Sequence, residues 1–246
     1  MFPKKGGYEV ARRRVKTARL DIIQCATTMF LERGYTASST KQIADELDIG
    51  TGNLTYYFPT KEHLLAVLVD MLCDFQWKLM EKEANDGYSS IMAICLELTT
   101  MAAACESDEK VKDFFLSAYA SPLCLGVIRK NDVRRAKEVF RQYRPDWTDE
   151  QFAEAEILVS GIEYATLMTA GDPVPLETRI AGALNNILGI YGVPREIREA
   201  KLNRVFSMDY LGLGRRTLDA FKQHVSESND RAFRELLESH QQKLRT

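Results

Sequence analysis

Ser39-Thr-Lys-Gln-Ile-Ala-Asp-Glu-Leu-Asp-Ile-Gly-Thr-Gly-Asn-Leu-Thr-Tyr-Tyr-Phe-Pro-Thr-Lys61 decides the fold of this chain. Ser39 or Thr40 caps a short helix whose inward positions are Ile43, Ala44 and Leu47. Asp48-Ile49-Gly50 makes a turn. Leu54, Tyr57 and Phe58 then give a second short helix its buried face before Pro59 stops it. Two short helices at this spacing, followed by a longer one, form the layout of a helix-turn-helix, whose second helix enters the DNA major groove.

The details fit that layout. Ala44 sits where the two short helices cross, and a small side chain there lets their backbones approach. Asp48 falls at a turn position that needs a left-handed backbone, which Asp tolerates better than most residues. Gly50, Thr51 and Gly52 open the second helix with little bulk, so its N-terminal amides can approach a phosphate. Upstream, Ile22, Ile23, Ala26, Met29 and Phe30 form one face of a helix that ends at Gly34, a left-handed C-cap. Downstream, Thr60 caps a long helix marked by Leu64, Leu68, Met71, Phe75 and Leu79 and reaching about Ala84, where Asn85-Asp86-Gly87 ends it. A rigid helix of that length can carry motion from a distal core to the DNA-binding end.

Thr40, Ile43-Ala44, Ile49, Gly52, Leu54, Tyr56-Tyr57-Phe58 and Lys61-Glu62-x-Leu64-Leu65 resemble the N-terminal signature of the tetracycline-repressor (TetR) family of transcriptional regulators, over residues 17 to 66. Asp48, Gly50 and Thr55 depart from the Gly, Ser and Tyr usual in that family. The resemblance implies that Lys41, Thr51, Asn53 and Thr55 face base edges, with Asn suited to adenine, Lys to guanine and Thr methyls to thymine. It also implies that Thr40, Tyr56 and Lys61 hold phosphates, with Gly52 at the close approach of the backbone. Tyr57 and Phe58 belong to the core instead.

Charge is distributed unevenly. The net is only −2, yet residues 1–20 hold Lys4, Lys5, Arg12, Arg13, Arg14, Lys16 and Arg19 against Glu9 alone. A basic arm (1–16) on an acidic body suits a protein that touches phosphate at one end, with Arg12 to Arg19 adding backbone or minor-groove contacts. On charge alone a solvated terminus fits equally well. Cys25, Cys73, Cys95, Cys105 and Cys124 lie in apolar helical stretches without paired spacing, which reads as buried free thiols in a reducing cytoplasm. No metal site or cofactor is expected, because no Cys-x-x-Cys pair occurs and His63, His224 and His240 are scattered. The basic start lacks the apolar run of a signal peptide, and Asp70 and Glu97 break the longest apolar stretches, so no membrane span is expected.

Helical periodicity continues over 88–105, 108–119, 122–143, 148–170 and 176–192, with a Thr148/Gln151 capping box and breaks at 171–175 and 192–194. The expected fold is all-α. A basic arm (1–16) precedes a three-helix DNA-binding domain (17–62), then a helical ligand-binding and dimerisation domain (63–194) led by the long helix, and a C-terminal helical extension (195–246). The resemblance implies a homodimer that reads a palindromic operator with two recognition helices ~34 Å apart, and release from DNA by a small-molecule effector. Candidate interface stripes are Phe152, Ala155, Leu158, Val159, Ile162 and Ala165, and Ile180, Leu184, Ile187, Leu188 and Tyr191; either could equally face the chain's own core. Met92, Cys95, Phe115, Tyr119, Cys124, Tyr164 and Met168 are candidate effector contacts, being soft, aromatic or mildly polar groups on apolar helices. Beyond Pro194 the extension keeps hydrophobic positions at helical spacing, which implies that it packs over the regulatory domain or widens the dimer interface. A helical enzyme or an interaction scaffold is the alternative. Neither a Gly-x-Ser-x-Gly elbow nor a phosphate loop supports the first, and the basic arm and Gly-Thr-Gly-Asn turn are unexplained by the second.

Overall fold

The computed structural model describes residues 6–85, 90–228 and 238, with side chains from residue 19 onward. Among them are eleven α-helices and no strand: α1 Gly6–Glu32, α2 Thr40–Glu46, α3 Thr51–Tyr57, α4 Lys61–Ala84, α5 Ile91–Ser107, α6 Glu109–Ala120, α7 Pro122–Phe140, α8 Asp149–Met168, α9 Leu176–Ile190, α10 Arg195–Phe206 and α11 Tyr210–Glu227. The helix of α1 runs back to Gly6, so its backbone includes most of the stretch expected as an arm. The side chains of Arg12, Arg13, Arg14 and Lys16 lie outside the described residues.

Local chemistry sets the boundaries. Ser39 makes a reciprocal capping box with Gln42 at the start of α2. Thr60 accepts from the His63 amide at the start of α4, and Thr148 makes its box with Gln151 at α8. Ser121 caps α7 with Pro122 in its first turn, where a missing N–H costs nothing. Gly34 ends α1 at φ 95°, and Asp48 takes the left-handed turn at φ 50°. The stretch expected to be helical to residue 143 ends at Phe140 and continues as turns.

Helices α1, α2 and α3 form a small head around Ile22, Ile23, Ala26, Phe30, Ile43, Ala44, Leu54 and Phe58, all nearly solvent-free. Tyr57 is half-buried against that core. From the head, α4 runs about 36 Å into the body, packing on α5 and α7. Around it α6, α8 and α9 complete one continuous apolar core with the head. The apolar stripe of α9, Ile180, Leu184, Ile187 and Leu188 with Tyr191 beyond it, is buried within the single chain, as are Phe152, Ala155 and Val159 of α8. These residues therefore cannot meet a second copy. The opposite face of α8 carries exposed Ile157 (54%), Leu158 (59%) and Met168, beside Gly161, above which there is open space.

The C-terminal helices lie on the body. Helix α10 packs on α5 and α9, while α11 packs on α5, α4 and α1. At Gly214 a Cβ would stand 2.7 Å from the Thr100 carbonyl oxygen, so glycine is what lets α11 seat on the α5 backbone. Arg204 Nη2 donates to the Ala84 carbonyl at the end of α4 (2.6 Å). Of the hydrophobic positions in the extension, Phe233, Leu236 and Leu237 lie outside the described residues. No single described helix is long and apolar enough to cross a membrane.

Candidate nucleic-acid interface and interior cavity

Leu54 and Phe58 anchor α3, and their burial turns the rest of that helix outward. Thr51, Gly52, Asn53, Thr55 and Tyr56 are all exposed, Tyr56 by 80%, and Lys41 of α2 is exposed as well. Thr40 is half-exposed at the start of α2. An unburied tyrosine stacked edge-on against Tyr57 serves no core and leaves its hydroxyl free to meet a phosphate. Neither Gly50 nor Gly52 has any atom within 4 Å of a built Cβ, so this approach is open.

Two expected contacts have intramolecular partners. Thr55 Oγ1 donates back to the Thr51 and Gly52 carbonyls (3.1 and 3.2 Å). Lys61 Nζ donates to the carbonyls of Tyr35 (3.0 Å) and Ser38 (2.9 Å) and lies 4.0 Å from the centre of the Tyr35 ring. Partial burial lowers its pKa from the usual lysine value. Lys61 thus staples the α1–α2 loop to the head of α4, with one ammonium proton left for an outside partner. Arg19, the described end of the basic stretch, sits over the Phe58 ring at 5.7 Å.

The head is tied to the body at further points. Asp113 of α6 accepts from the Thr36 amide (2.7 Å) and from the Thr36 hydroxyl. On the other side Gln24 Nε2 donates to the Val225 and Ser226 carbonyls (both 3.0 Å), and Lys222 pairs with Glu32 at 3.3 Å. The same α6 that holds the loop also lines a cavity in the body.

Between α4, α5, α6, α7 and α8 lies a cavity with about 440 Å³ of atom-free space, a figure that includes space open to solvent. Its apolar wall includes Val69, Leu72, Met101, Phe114, Phe115 and Ile128, and its polar edge has Glu97, Tyr119, Asp132 and Glu163. A second cavity of about 330 Å³ adjoins it, sharing Glu97, Asp132 and Glu163 and adding Arg135, Glu156 and Tyr191. Tyr119 donates to Glu163 Oε2 (2.9 Å), and Tyr191 donates to Glu156 Oε1. Arg135 spans Glu97 (3.1 Å) and Asp132 (3.5 Å) and lies over Trp77. Burial pushes all four carboxyls above their usual range. Glu156 reaches about 7 as burial outweighs its Tyr191 hydrogen bond, with repulsion from Glu97 adding to the rise.

Of the effector contacts expected from sequence, Phe115 and Tyr119 line the first cavity. Met92 and Cys95 are fully buried but line neither cavity, and Cys124 is buried near the Glu62 carbonyl. Tyr164 is half-buried beside Tyr119, and Met168 is 47% exposed. The four carboxylates were not among the expected contacts. Glu97 had offered a signal, as a lone acid within the apolar run of α5; Asp132, Glu156 and Glu163 look like solvated helix residues in sequence. All five cysteines are free, with Cys25 and Cys73 half-buried rather than buried. The described residues contain no cluster of His, Cys, Asp or Glu able to hold a metal ion.

Comparison with known proteins agrees with the geometry of the head. Residues 22–68 match the family described as bacterial regulatory proteins, tetR family. An uncharacterized HTH-type transcriptional regulator, YuxN of Bacillus subtilis (strain 168), is 31% identical over 80 residues. Those residues are 32% of this chain and 28% of that relative's length. Among solved structures, the TetR family protein CprB from S. coelicolor A3(2) aligns with TM-score 0.42 and 21% identity over 84% of this chain and 98% of that one. A gamma-butyrolactone receptor (ArpA like protein) aligns with TM-score 0.38 and 19% identity over 85% and 99%.

Proposed function

We propose that this chain, whose residues 22–68 match the bacterial regulatory proteins of the tetR family, works as a homodimeric transcriptional repressor released from a palindromic operator by a small molecule bound in the body. The observation that carries the DNA-binding part is the outward face of α3, where Thr51, Gly52, Asn53, Thr55 and Tyr56 are exposed around a helix held by buried Leu54 and Phe58. Asn53 and Lys41 are assigned to base edges, and Tyr56 with Thr40 to phosphates. Thr55 is assigned to thymine through its methyl group, since its hydroxyl bonds back to the helix. Lys61 acts chiefly by holding the loop, with a phosphate contact from its remaining proton.

Dimerisation is assigned to the exposed face of α8 with the neighbouring surface of α9. Ile157, Leu158 and Met168 are apolar there, and Gly161 and Gly182 leave room for a facing helix to approach. Two copies are needed because one short helix reads too few base pairs. The effector site is assigned to the cavity beside α6. Filling it acts on Phe114 and Phe115, and through the same helix on Asp113 and the Thr36 loop of the head. Such a switch requires the effector to prefer one of the two head positions.

Gel retardation with DNA from the protein's own upstream region tests the reading. Sequence-specific, salt-sensitive binding lost in Asn53→Ala is the expected result; binding indifferent to sequence sinks it.

A further inference from the structure

Four carboxyl side chains, Glu97, Asp132, Glu156 and Glu163, line the two adjoining cavities, and Arg135 is the sole basic residue in their lining. Arg135 is already committed to Glu97, Asp132 and the Cys73 carbonyl. Arg129, whose charge partly offsets the rise at Glu156, hydrogen-bonds Ser160 Oγ at 2.9 Å and lines an outer groove rather than either cavity. Glu163 and Glu156 receive only neutral donors, the hydroxyls of Tyr119 and Tyr191. Glu156 is 2% exposed, and its second oxygen, Oε2, has no hydrogen-bond partner at all.

A buried acceptor without a donor costs about 1–3 kcal/mol, and more when charged. Nothing in the packing requires acids here, because the facing positions Val69, Phe115, Ile128, Val159 and Ile187 are apolar. Burial favours the protonated form of these acids, so an incoming positive charge beside the apolar wall would draw them into the ionised form and be held by it. We propose that the paired cavities are a receptor for an organic cation, a protonated amine with an apolar body, whose charge is taken by Glu156, Glu163 and Asp132. The aliphatic or aromatic part lies against Phe114, Phe115 and Ile128, and the ammonium supplies the donor that Glu156 Oε2 lacks. A neutral hydroxyl of the same size can donate to that oxygen but brings no opposite charge to the acid cluster, and an anion is repelled by it. This inference names the ligand class for the effector site assigned above and rests on that reading only for its effect on DNA.

The test uses the full-length protein with hexylamine and spermidine as cations, and hexanol and hexanoate as neutral and anionic counterparts of hexylamine. Melting temperature and calorimetric binding are measured at fixed pH and salt. At least one cation should bind and raise the melting temperature, hexanol and hexanoate should not, and Glu156→Gln and Glu163→Gln should each weaken the cation at least tenfold while remaining folded. Equal response to hexylamine, hexanol and hexanoate overturns the proposal. So does failure of both cations to bind more tightly than about 1 mM, the level at which binding amounts to only about 4 kcal/mol, or cation binding unchanged in both variants. Operator retardation is scored separately. Cation binding without specific DNA binding leaves the receptor standing and removes the regulatory reading; specific DNA binding without cation selectivity does the reverse.

Discussion

The side-chain amide of Gln24, on α1, donates at 3.0 Å to the carbonyl oxygen of Val225, near the end of α11. Two residues 201 positions apart thus join the head to α11, and Lys222 with Glu32 adds a second link between the same two helices. Since Gly214 is what seats α11 on α5, Gly214→Val should lift the helix and loosen the head at its other end. We expect a fall in melting temperature and faster amide exchange in α1. An unchanged melting temperature, or exchange altered only in α11 itself, would count against the link. Removal of 195–246 should do more damage, lowering solubility as well as stability.

Lys41 and Lys61 should separate cleanly in salt titrations. Lys41 is exposed and free to neutralise a phosphate or reach a base, so Lys41→Ala should reduce the slope of log affinity against log salt by about 1. Lys61 is held by two carbonyls within the chain. Lys61→Met should leave most of the slope while costing about 1–3 kcal/mol of stability through the unpaired loop carbonyls. The converse pattern would make Lys61 a phosphate clamp first.

The buried carboxyls predict an unusual pH response. Glu156 moves from 4.5 to about 7 on folding, so between those values the folded chain keeps a proton that the unfolded chain has released. Raising the pH through this window must therefore favour unfolding, by up to about 1.4 kcal/mol per pH unit for each such group. The melting temperature of the ligand-free protein should fall from about pH 5 to about pH 7, and fall less in Glu156→Gln. Identical pH slopes for the two proteins would refute the burial assigned to this carboxyl.

Leu158→Glu should give monomers in sedimentation while the helical spectrum stays intact, because this side chain is 59% exposed and supports no core of its own. Operator affinity should fall with it. A dimer that survives both Leu158→Glu and Ile157→Glu would move the interface elsewhere.

The head was legible because its constraints are local. Ser39, Asp48, Gly34, Thr60 and Pro59 each specify a cap, a turn or a stop within a few residues, and the structure shows Asp48 and Gly34 with the positive φ they were expected to take. Interior chemistry was not legible in the same way. Glu97, Asp132, Glu156 and Glu163 stand on α5, α7 and α8, and only tertiary packing brings them into one wall. The face of α8 that is free for a partner was ambiguous for a different reason. That helix carries apolar residues on both sides, so a period of 3.6 identifies a stripe without saying which stripe the chain uses for itself. Sequence likewise offered no hint that Lys61 would be spent on the Tyr35–Ser38 loop, since donors to distant carbonyls follow no spacing rule.

The contact of α11 with α1 also orders events in time. A ribosome releases α1 well before Tyr210–Glu227, so the groove along Gln24 and Glu32 stays open while the 201 positions between Gln24 and Val225 are made. Closing a loop of that length is entropically slow, and contacts so far apart in sequence delay the final folding step. A nascent chain can form its reading motif early, yet its head becomes fully anchored only when the C-terminal helix arrives. Truncated products would carry the motif without that anchor, so they should be poor competitors for the operator.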